Sequence, residues 1–261
     1  MGTEHRARAK GPLTLAFDIG GSHLKAGILS PAGDMISDRV RVVTPKPAKP
    51  KAVVDGLVGL ADQLKQFDRI TIGFPGVVRR ETVFTAPNLG TKLWQGFKLG
   101  SVISEQLGRP VRILNDASVQ GLGVIEGRGT ECVITMGTGM GFAHFLEGCL
   151  APHLELSQHP IKGGKTYDEY VGEKALEKVG RKRWNRRLRK IIEVLETVVM
   201  YDTLYIGGGN SRLIEPPLPA NVKIVSNEAG ITGGVRAWDV RMNHLFEAPP
   251  ATFAVAAEHT S

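Results

Sequence analysis

The chain has 261 residues, of which 42% are hydrophobic and 23% charged, and a formal charge of +7. That length can bury a core as one large domain or two modest ones, and the composition supports a soluble globular protein. Several classes are excluded: no run of about 18 apolar residues offers a membrane-spanning helix, the charged start MGTEHRARAK lacks the apolar stretch of a signal peptide, and two cysteines, Cys132 and Cys149, are too few for a disulfide framework or a multi-cysteine zinc site.

A cytoplasmic location and buried, unreactive thiols are therefore expected. The positive excess sits in one place. Residues 181–190, RKRWNRRLRK, hold seven Lys/Arg and no acid; without them the 33 basic residues fall to 26, equal to the 26 acidic ones. A localized field calls for a localized explanation.

In chain order, residues 1–12 read as a basic flexible lead, with His5 to Lys10 a solvated arm. An apolar run over 13–18 ends in DIGG and the chain resumes as KAGILS at 25–30, the pattern of strand, glycine turn, strand. A turn at 31–34 precedes a third strand over 36–43. Pro45, Pro47 and Pro50 then break the chain before a helix over 52–67, in which Val53, Leu57, Leu60, Ala61 and Leu64 share one face. A strand over 69–74 enters the Pro75-Gly76 turn, a helix covers 99–107, and a strand over 111–114 delivers Asn115-Asp116 to a helix over 117–125.

The strand over 132–136 enters MGTGMG and leaves through 142–145, repeating the N-terminal device and predicting two related halves. Helices follow over 167–179 and 183–199, then a strand over 203–206 running into Gly207-Gly208-Gly209-Asn210. A proline loop at Pro216, Pro217 and Pro219, a strand over 222–225 and a closing helix over 229–238 complete the pattern. The tail, 241–261, is expected to be poorly ordered unless it docks on the body. Alternating blocks of strand and helix predict an α/β fold with an N-terminal lobe over 13–115, a C-terminal lobe over 116–240, and glycine loops facing a cleft between them.

A phosphate chain carries closely spaced negative charge, and backbone amides approach it only where side chains are absent. Three turns after strands meet that requirement: Asp18-Ile19-Gly20-Gly21-Ser22, Gly137-Thr138-Gly139-Met140-Gly141, and Gly207-Gly208-Gly209-Asn210. One glycine pair after a strand is an ordinary hairpin; three at successive strand ends point to phosphate. None carries the Gly-Lys-Ser/Thr ending of the Walker pattern, and the dinucleotide fingerprint is absent at the first strand.

DIGGSHLKAGIL resembles the first phosphate motif of the actin-like sugar kinases. GFPGVV, TAPNLG, LNDASVQGLG, MGTGMGFA, YIGGGN and NEAGITGG are similar, in order, to successive landmarks of the ROK family, a resemblance that spans 13–238. KRWNRRLRKIIEVLETVVMYDTLYIGGGN looks particularly like the polyphosphate-using glucokinases of that family. The resemblance implies an actin-like ATPase (ribonuclease H-like) two-lobed fold and transfer of the terminal phosphoryl group of polyphosphate or ATP to the 6-hydroxyl of glucose, or of a related hexose such as mannose. It also implies Mg²⁺ and a homodimer.

Residue by residue, the resemblance implies that Asp116 is the general base, a role suited to a carboxylate at a strand end; an N-cap of the following helix is the alternative. Asn115 would hold sugar hydroxyls, or only form a turn. Asp18 would act on Mg²⁺ through water, because this ion keeps several waters beside phosphates. Lys25 matches a basic family position but also suits an exposed strand, and stays outside the catalytic set. Asn88 and Glu155 match sugar-contacting positions. The family's glutamate is followed three residues later by histidine, whereas Gln158 stands there and His159 follows; either the neighbouring imidazole substitutes or a contact has become an amide. The cysteine-rich zinc motif of many members is missing, so no zinc site is expected.

On a helical projection, Trp184, Leu188, Ile191, Ile192, Leu195, Val198 and Val199 share one face and Arg183, Arg186, Arg187, Arg189 and Lys190 lie opposite. A solvated face is one reading; a polyphosphate contact through Arg186, Arg187 and Lys190 is the other. The residues before 13 are too few for a helix-turn-helix domain, so specific DNA binding is not expected. A sensor that keeps the fold without catalysis, or a kinase of another hexose or amino sugar, are the competing readings; the presence of Asp18 and Asp116 favours catalysis.

Overall fold

The computed structural model describes residues 11–226 and 231–247. The N-terminal arm, the NEAG part of the last landmark and the chain from 248 onward lie outside the described residues. Period-two alternation in the first strand sets the layering. In β1 (Thr14–Ile19), Leu15, Phe17 and Ile19 enter one core and Ala16 enters another on the opposite face. Strand β2 (His23–Leu29) pairs antiparallel with β1, and β3 (Val40–Val43) antiparallel with β2. Helix α1 (Pro50–Leu64) covers the outer face with Val53, Val54, Leu57, Leu60 and Ala61. The parallel strand β4 (Arg69–Phe74) follows, then the hairpin β5 (Val78–Arg79) and β6 (Thr82–Val83). Helices α2 (Thr91–Trp94) and α3 (Leu99–Leu107) lead to β7 (Val111–Asn115), giving the sheet order β3-β2-β1-β4-β7.

After α4 (Asp116–Val124) the pattern repeats. Strands β8 (Thr130–Met136), β9 (Met140–Leu146) and β10 (Cys149–Leu150) form an antiparallel meander. The small hairpin β11 (Pro160–Lys162) and β12 (Lys165–Thr166) precedes α5 (Tyr167–Val171), α6 (Glu173–Val179) and α7 (Arg181–Val199). Parallel strands β13 (Thr203–Gly207) and β14 (Val222–Ile224) close a second sheet in the order β10-β9-β8-β13-β14. In each sheet two successive antiparallel pairings extend one side of the first strand and two successive parallel pairings the other, so the two sheets share one topology. This duplicated arrangement is the actin-like ATPase fold.

Helix α4 lies between the sheets, and its residues from Ala117 to Leu122 are all buried. Its start is capped by Asn115, whose Oδ1 accepts from the Ala117 amide at 3.0 Å. Its last carbonyls receive Arg236, whose Nη1 donates to Leu122 O at 2.8 Å and Ile125 O at 3.0 Å. Arg236 belongs to a 3₁₀ segment, Thr232–Trp238, that reaches back to the first sheet. There the buried Thr71 donates to Gly234 O at 2.8 Å and accepts from Trp238 Nε1 at 2.9 Å.

Several expectations are corrected. The third strand covers only 40–43; before it, Ile36 makes a single antiparallel backbone bond to Ile28 O at 2.9 Å. The helix expected over 167–179 is split at Gly172, where the chain turns against Thr138 and Gly139; a Cβ there would stand 2.5 Å from Thr138 O. The closing helix is 3₁₀ rather than α. The start of the tail takes the docked alternative: 241–245 belong to a 3₁₀ segment, Val240–Leu245, in which Met242 is buried, while Arg112 donates to Asn243 Oδ1 at 2.7 Å and stacks on Phe246. On α7, Val198 is exposed and Val194 packs instead. Cys132 is buried, which pushes its thiol up to about 12, but Cys149 is only half-buried. Among the described residues no helix is long and apolar enough to cross a membrane.

Two glycine substitutions test the packing of α4. A Cβ at Gly121 would stand 2.5 Å from the Phe145 ring in the shared core, whereas one at the exposed Gly59 of α1 would meet nothing within 4 Å. Gly121→Ala should lower stability by about 1–3 kcal/mol through overpacking. Gly59→Ala should raise it by about 0.5–1 kcal/mol through helix propensity. Chemical denaturation of both variants reads the opposite signs.

Candidate active site

Two cavities meet at the start of α4. The first, about 210 Å³, is lined by Asn88, Asn115, Asp116, Glu155, Ser157 and Asp168, with Gly20, Gly21 and the 137–141 loop closing one side. Carboxylates and amides of this kind, with no cationic side chain among them, suit a neutral polyhydroxyl ligand that offers O–H donors. The second, about 200 Å³, is lined by Asp18, Lys25, Arg39, Asp116, Gln120, Gly137, Gly208 and Gly209. Two cations and the backbone of three glycines stand there beside two carboxylates, and cations with glycine backbone suit phosphate. A third cavity of about 440 Å³ shares Gly208 and Gly209 and is walled by Ser211, Arg212, Ile224, Val225 and Ser226.

The glycine loops are held rigidly. In the first turn the carbonyls of Gly20, Gly21 and Ser22 are occupied by Thr44 Oγ1 at 2.6 Å, Lys46 Nζ at 2.9 Å and Thr44 N at 2.9 Å. In the second, Gly137 O accepts from Glu173 N at 3.0 Å and from Asn210 Nδ2 at 3.3 Å. Gly208 has φ +86°, a left-handed conformation that glycine adopts without strain, and a side chain there would strike Met136. Asn210 thus ties the third loop to the second. Ser22, Gly207 and Asn210 border neither of the two main cavities; their role is in the shape of the loops.

Asp116 borders both cavities. It is the first residue of α4 rather than its cap, which is Asn115; the Ala117 amide is shared between Asn115 Oδ1 and Asp116 Oδ1, the latter at 2.8 Å. Asn115 also donates through Nδ2 to Gly76 O at 3.2 Å, so its amide is largely engaged in holding the strand end. Burial, reinforced by the negative charge of Asp18 and opposed by the Ala117 amide, pushes the Asp116 carboxyl up to about 7.

The remaining carboxylates differ in state. Burial tends to raise Glu155, yet hydrogen bonds from His153 and Ser157 outweigh it and hold the group below its usual range. Asp168 is raised by burial, although it accepts from Met140 N at 2.7 Å. Gln158 donates to Ser157 Oγ at 3.1 Å and to Asp168 Oδ2 at 3.3 Å, so at this position an amide joins the network. His159 is exposed and borders neither cavity; the imidazole beside Glu155 is that of His153, 3.4 Å away.

Asp168 and Gln120 escaped the sequence reading, and Lys25 was set aside. Lys25 lies opposite Asp18 in the β1–β2 register and donates to its Oδ2 at 2.8 Å, a contact legible once the hairpin register is drawn. Asp168 is brought in by a helix nearly thirty residues downstream of the loop it supports, and nothing in its neighbourhood of the sequence signals that. The α7 cations are not brought to either cavity. Arg187 donates to Tyr170 O at 2.8 Å and lies over the Tyr170 ring, Lys190 pairs with Glu193 at 3.0 Å, and Arg186 is exposed.

A cleft of this form, with one carboxylate bordering both cavities in an actin-like fold, is that of a phosphotransferase of the sugar-kinase type. Comparison with known proteins agrees. The ROK family model matches residues 14–151. The polyphosphate glucokinase of Mycobacterium tuberculosis is 32% identical over 238 residues, covering 85% of this chain and 89% of the relative. The crystal structure of an inorganic polyphosphate/ATP-glucomannokinase from Arthrobacter sp. strain KM superposes with a TM-score of 0.77 at 28% identity, covering 87% of this chain and 98% of that one. A ROK family glucokinase from Streptomyces griseus, solved with glucose and AMPPNP, superposes with a TM-score of 0.68 at 19% identity over 86% of this chain and 98% of that one, a likeness of fold. The chain belongs to the ROK family.

The electrostatics of Asp116 are open to measurement. A ¹³C NMR titration should place its carboxyl near pH 7, and Asp18→Asn should lower that midpoint by removing a neighbouring negative charge. Between the ordinary value of 3.8 and about 7 the folded chain keeps a proton that the unfolded chain releases. Stability should therefore fall as pH rises through that window, and Asp116→Asn should flatten the slope. Thermal melts from pH 4 to 8 compare the two.

Proposed function

We propose that the protein transfers the terminal phosphoryl group of polyphosphate or ATP to the 6-hydroxyl of glucose, and of the related hexose mannose, with Asp116 as general base. The observation that carries this reading is the position of Asp116 on the wall of both cavities. In the first cavity Asn88, Asn115, Glu155 and Asp168 would hold sugar hydroxyls. In the second, Lys25 and the amides of Gly208 and Gly209 would hold the donor phosphates. One Asp116 oxygen is engaged by the Ala117 amide, and the other has no hydrogen bond from a neighbouring side chain, which leaves it to accept a proton.

The hydroxyl oxygen forms a bond to the terminal phosphorus while the bond from that phosphorus to the rest of the donor breaks. The hydroxyl proton passes to Asp116, and the donor leaves one phosphate shorter. The donor cavity also fits Mg²⁺. Asp18 has one oxygen on Lys25 and the other without a hydrogen bond, and among the described residues no group of three or more ligating side chains forms a full protein cage. One carboxylate beside phosphates is the usual company of this ion, which would neutralise donor charge there.

Both donors are accommodated. The third cavity, with Ile224 and Val225 beside Gly208 and Gly209, offers an apolar wall for the nucleoside of ATP. For a longer phosphate chain, Lys25 stands opposite Arg41 in the β2–β3 register, while Leu24, Ala26, Val40 and Val42 pack into the core on the other face. A basic row thus runs from the donor cavity to the exposed edge of the first sheet. This row is favoured over α7 because Lys25 borders the cavity and two of the three α7 cations named above are engaged with local partners.

The test is a coupled assay for glucose 6-phosphate with glucose and Mg²⁺, run with ATP and with long-chain polyphosphate. Asp116→Asn should lower kcat by several orders of magnitude with little change in glucose affinity; activity within tenfold of the parent overturns the base assignment. The parent's kcat/KM should fall below about pH 7 as Asp116 takes up its proton. Arg41→Gln should raise KM for polyphosphate more than for ATP and weaken its salt dependence. Joint replacement of Arg186, Arg187 and Lys190 by Gln should affect both donors alike; a loss confined to polyphosphate would return the phosphate chain to α7.

A further inference from the structure

Gln120 follows Asp116 by one turn of α4, so the two side chains share a helix face, and both line the donor cavity. Its side chain is 7% exposed, and its Nε2 is buried without a hydrogen-bond partner. Among the described residues only two other buried side-chain atoms are in that state, His153 Nδ1 and Tyr201 Oη, and neither residue lines the donor cavity. The nitrogen lies against Gly207, where a Cβ would stand 2.6 Å away, so the absence of a side chain at 207 is what admits the amide under the third glycine loop.

A buried amide donor left unpaired costs stability, and native chains rarely keep one without a use. No acceptor lies within hydrogen-bond distance of it. The cavity it lines also holds Lys25, Arg39, Thr135 and two carboxylates, Asp18 with one oxygen on Lys25 and Asp116 with one on the Ala117 amide. None of these reaches the Gln120 amide, and an anion that enters the cavity beside the two cations would supply the missing acceptor.

We propose that Gln120 is a donor-binding residue whose carboxamide N–H bonds a phosphoryl oxygen of the bound phosphate chain. The proposal rests on the assignment of this cavity to the phosphoryl donor. Phosphoryl oxygens are common to ATP and polyphosphate, so the contact serves both. Because Gln120 shares its helix face with Asp116, it reaches the phosphates nearest the acceptor hydroxyl rather than the far end of the donor. Its place one turn behind the base leaves it no part in proton transfer.

The test separates a ligand contact from a packing role. Gln120→Leu keeps the bulk and removes the unpaired donor, so the ligand-free variant should melt at the same temperature as the parent or higher. Its Kd for tripolyphosphate and for ATP, measured by calorimetry without sugar, should rise about tenfold or more, with the Kd for glucose unchanged. Gln120→Met serves as a second variant of similar length should leucine not fold. A lower melting temperature with unchanged donor affinity overturns the proposal and makes Gln120 a packing residue. Binding of neither anion by the parent overturns the assignment of the cavity itself, and the proposal with it; binding by parent and variant alike overturns the proposal alone.

Discussion

The burial of one short helix between two sheets is the constraint on which the rest of this molecule depends. Helix α4 has no solvent face over most of its length, and its polar ends are therefore satisfied by specific partners: Asn115 at the start, Arg236 at the end. An unsatisfied helix end in that position would cost more than a surface helix loses by fraying. The same requirement places Asp116 in the first turn, at the point where the two lobes meet. The position of Asp116 and the capping of the helix are thus consequences of one piece of packing.

The lobes contribute unequal chemistry through equal topology. Each begins with a strand, a glycine turn and an antiparallel strand, and the two turns face each other across α4. Their carbonyls are turned away and bonded to neighbouring segments, which leaves the cleft side to amides and a few side chains. The first cavity holds acidic and amide groups without a cation, whereas the second adds Lys25 and Arg39 to its two carboxylates. Asp116 lies on the boundary and is held near neutrality by burial and by Asp18. A carboxyl poised there accepts a proton more readily than one at its ordinary value while still losing it near neutral pH.

The basic helix illustrates how charge in a sequence is redistributed by a fold. Seven cations in ten residues suggest a binding surface, yet in the tertiary structure several are drawn into local contacts with Tyr170, Glu193 and Glu215. The less conspicuous pair, Lys25 and Arg41, is aligned across two strands and leads away from the second cavity. Sixteen residues separate them in the chain, and only strand register makes them neighbours.

The sequence by itself determined the elements whose signals are local. Apolar periodicity marked strands β1, β2, β4, β7, β8, β9 and β13 and helices α1, α3 and α7, and three glycine turns stood out at strand ends that border the cleft, because each of these depends on residues within one or two turns of chain. Asn88, Asn115, Asp116 and Glu155 were legible as a set through their motifs. Only contacts in the folded chain set the break at Gly172, the docking of 240–245, the place of His159 outside the first cavity, and the recruitment of Asp168 and Gln120. Those outcomes rest on contacts between segments far apart in the chain: a backbone approach, a buried methionine, a carboxylate brought across a loop, an amide admitted by a distant glycine. No local pattern encodes a contact whose partner is supplied by another part of the fold.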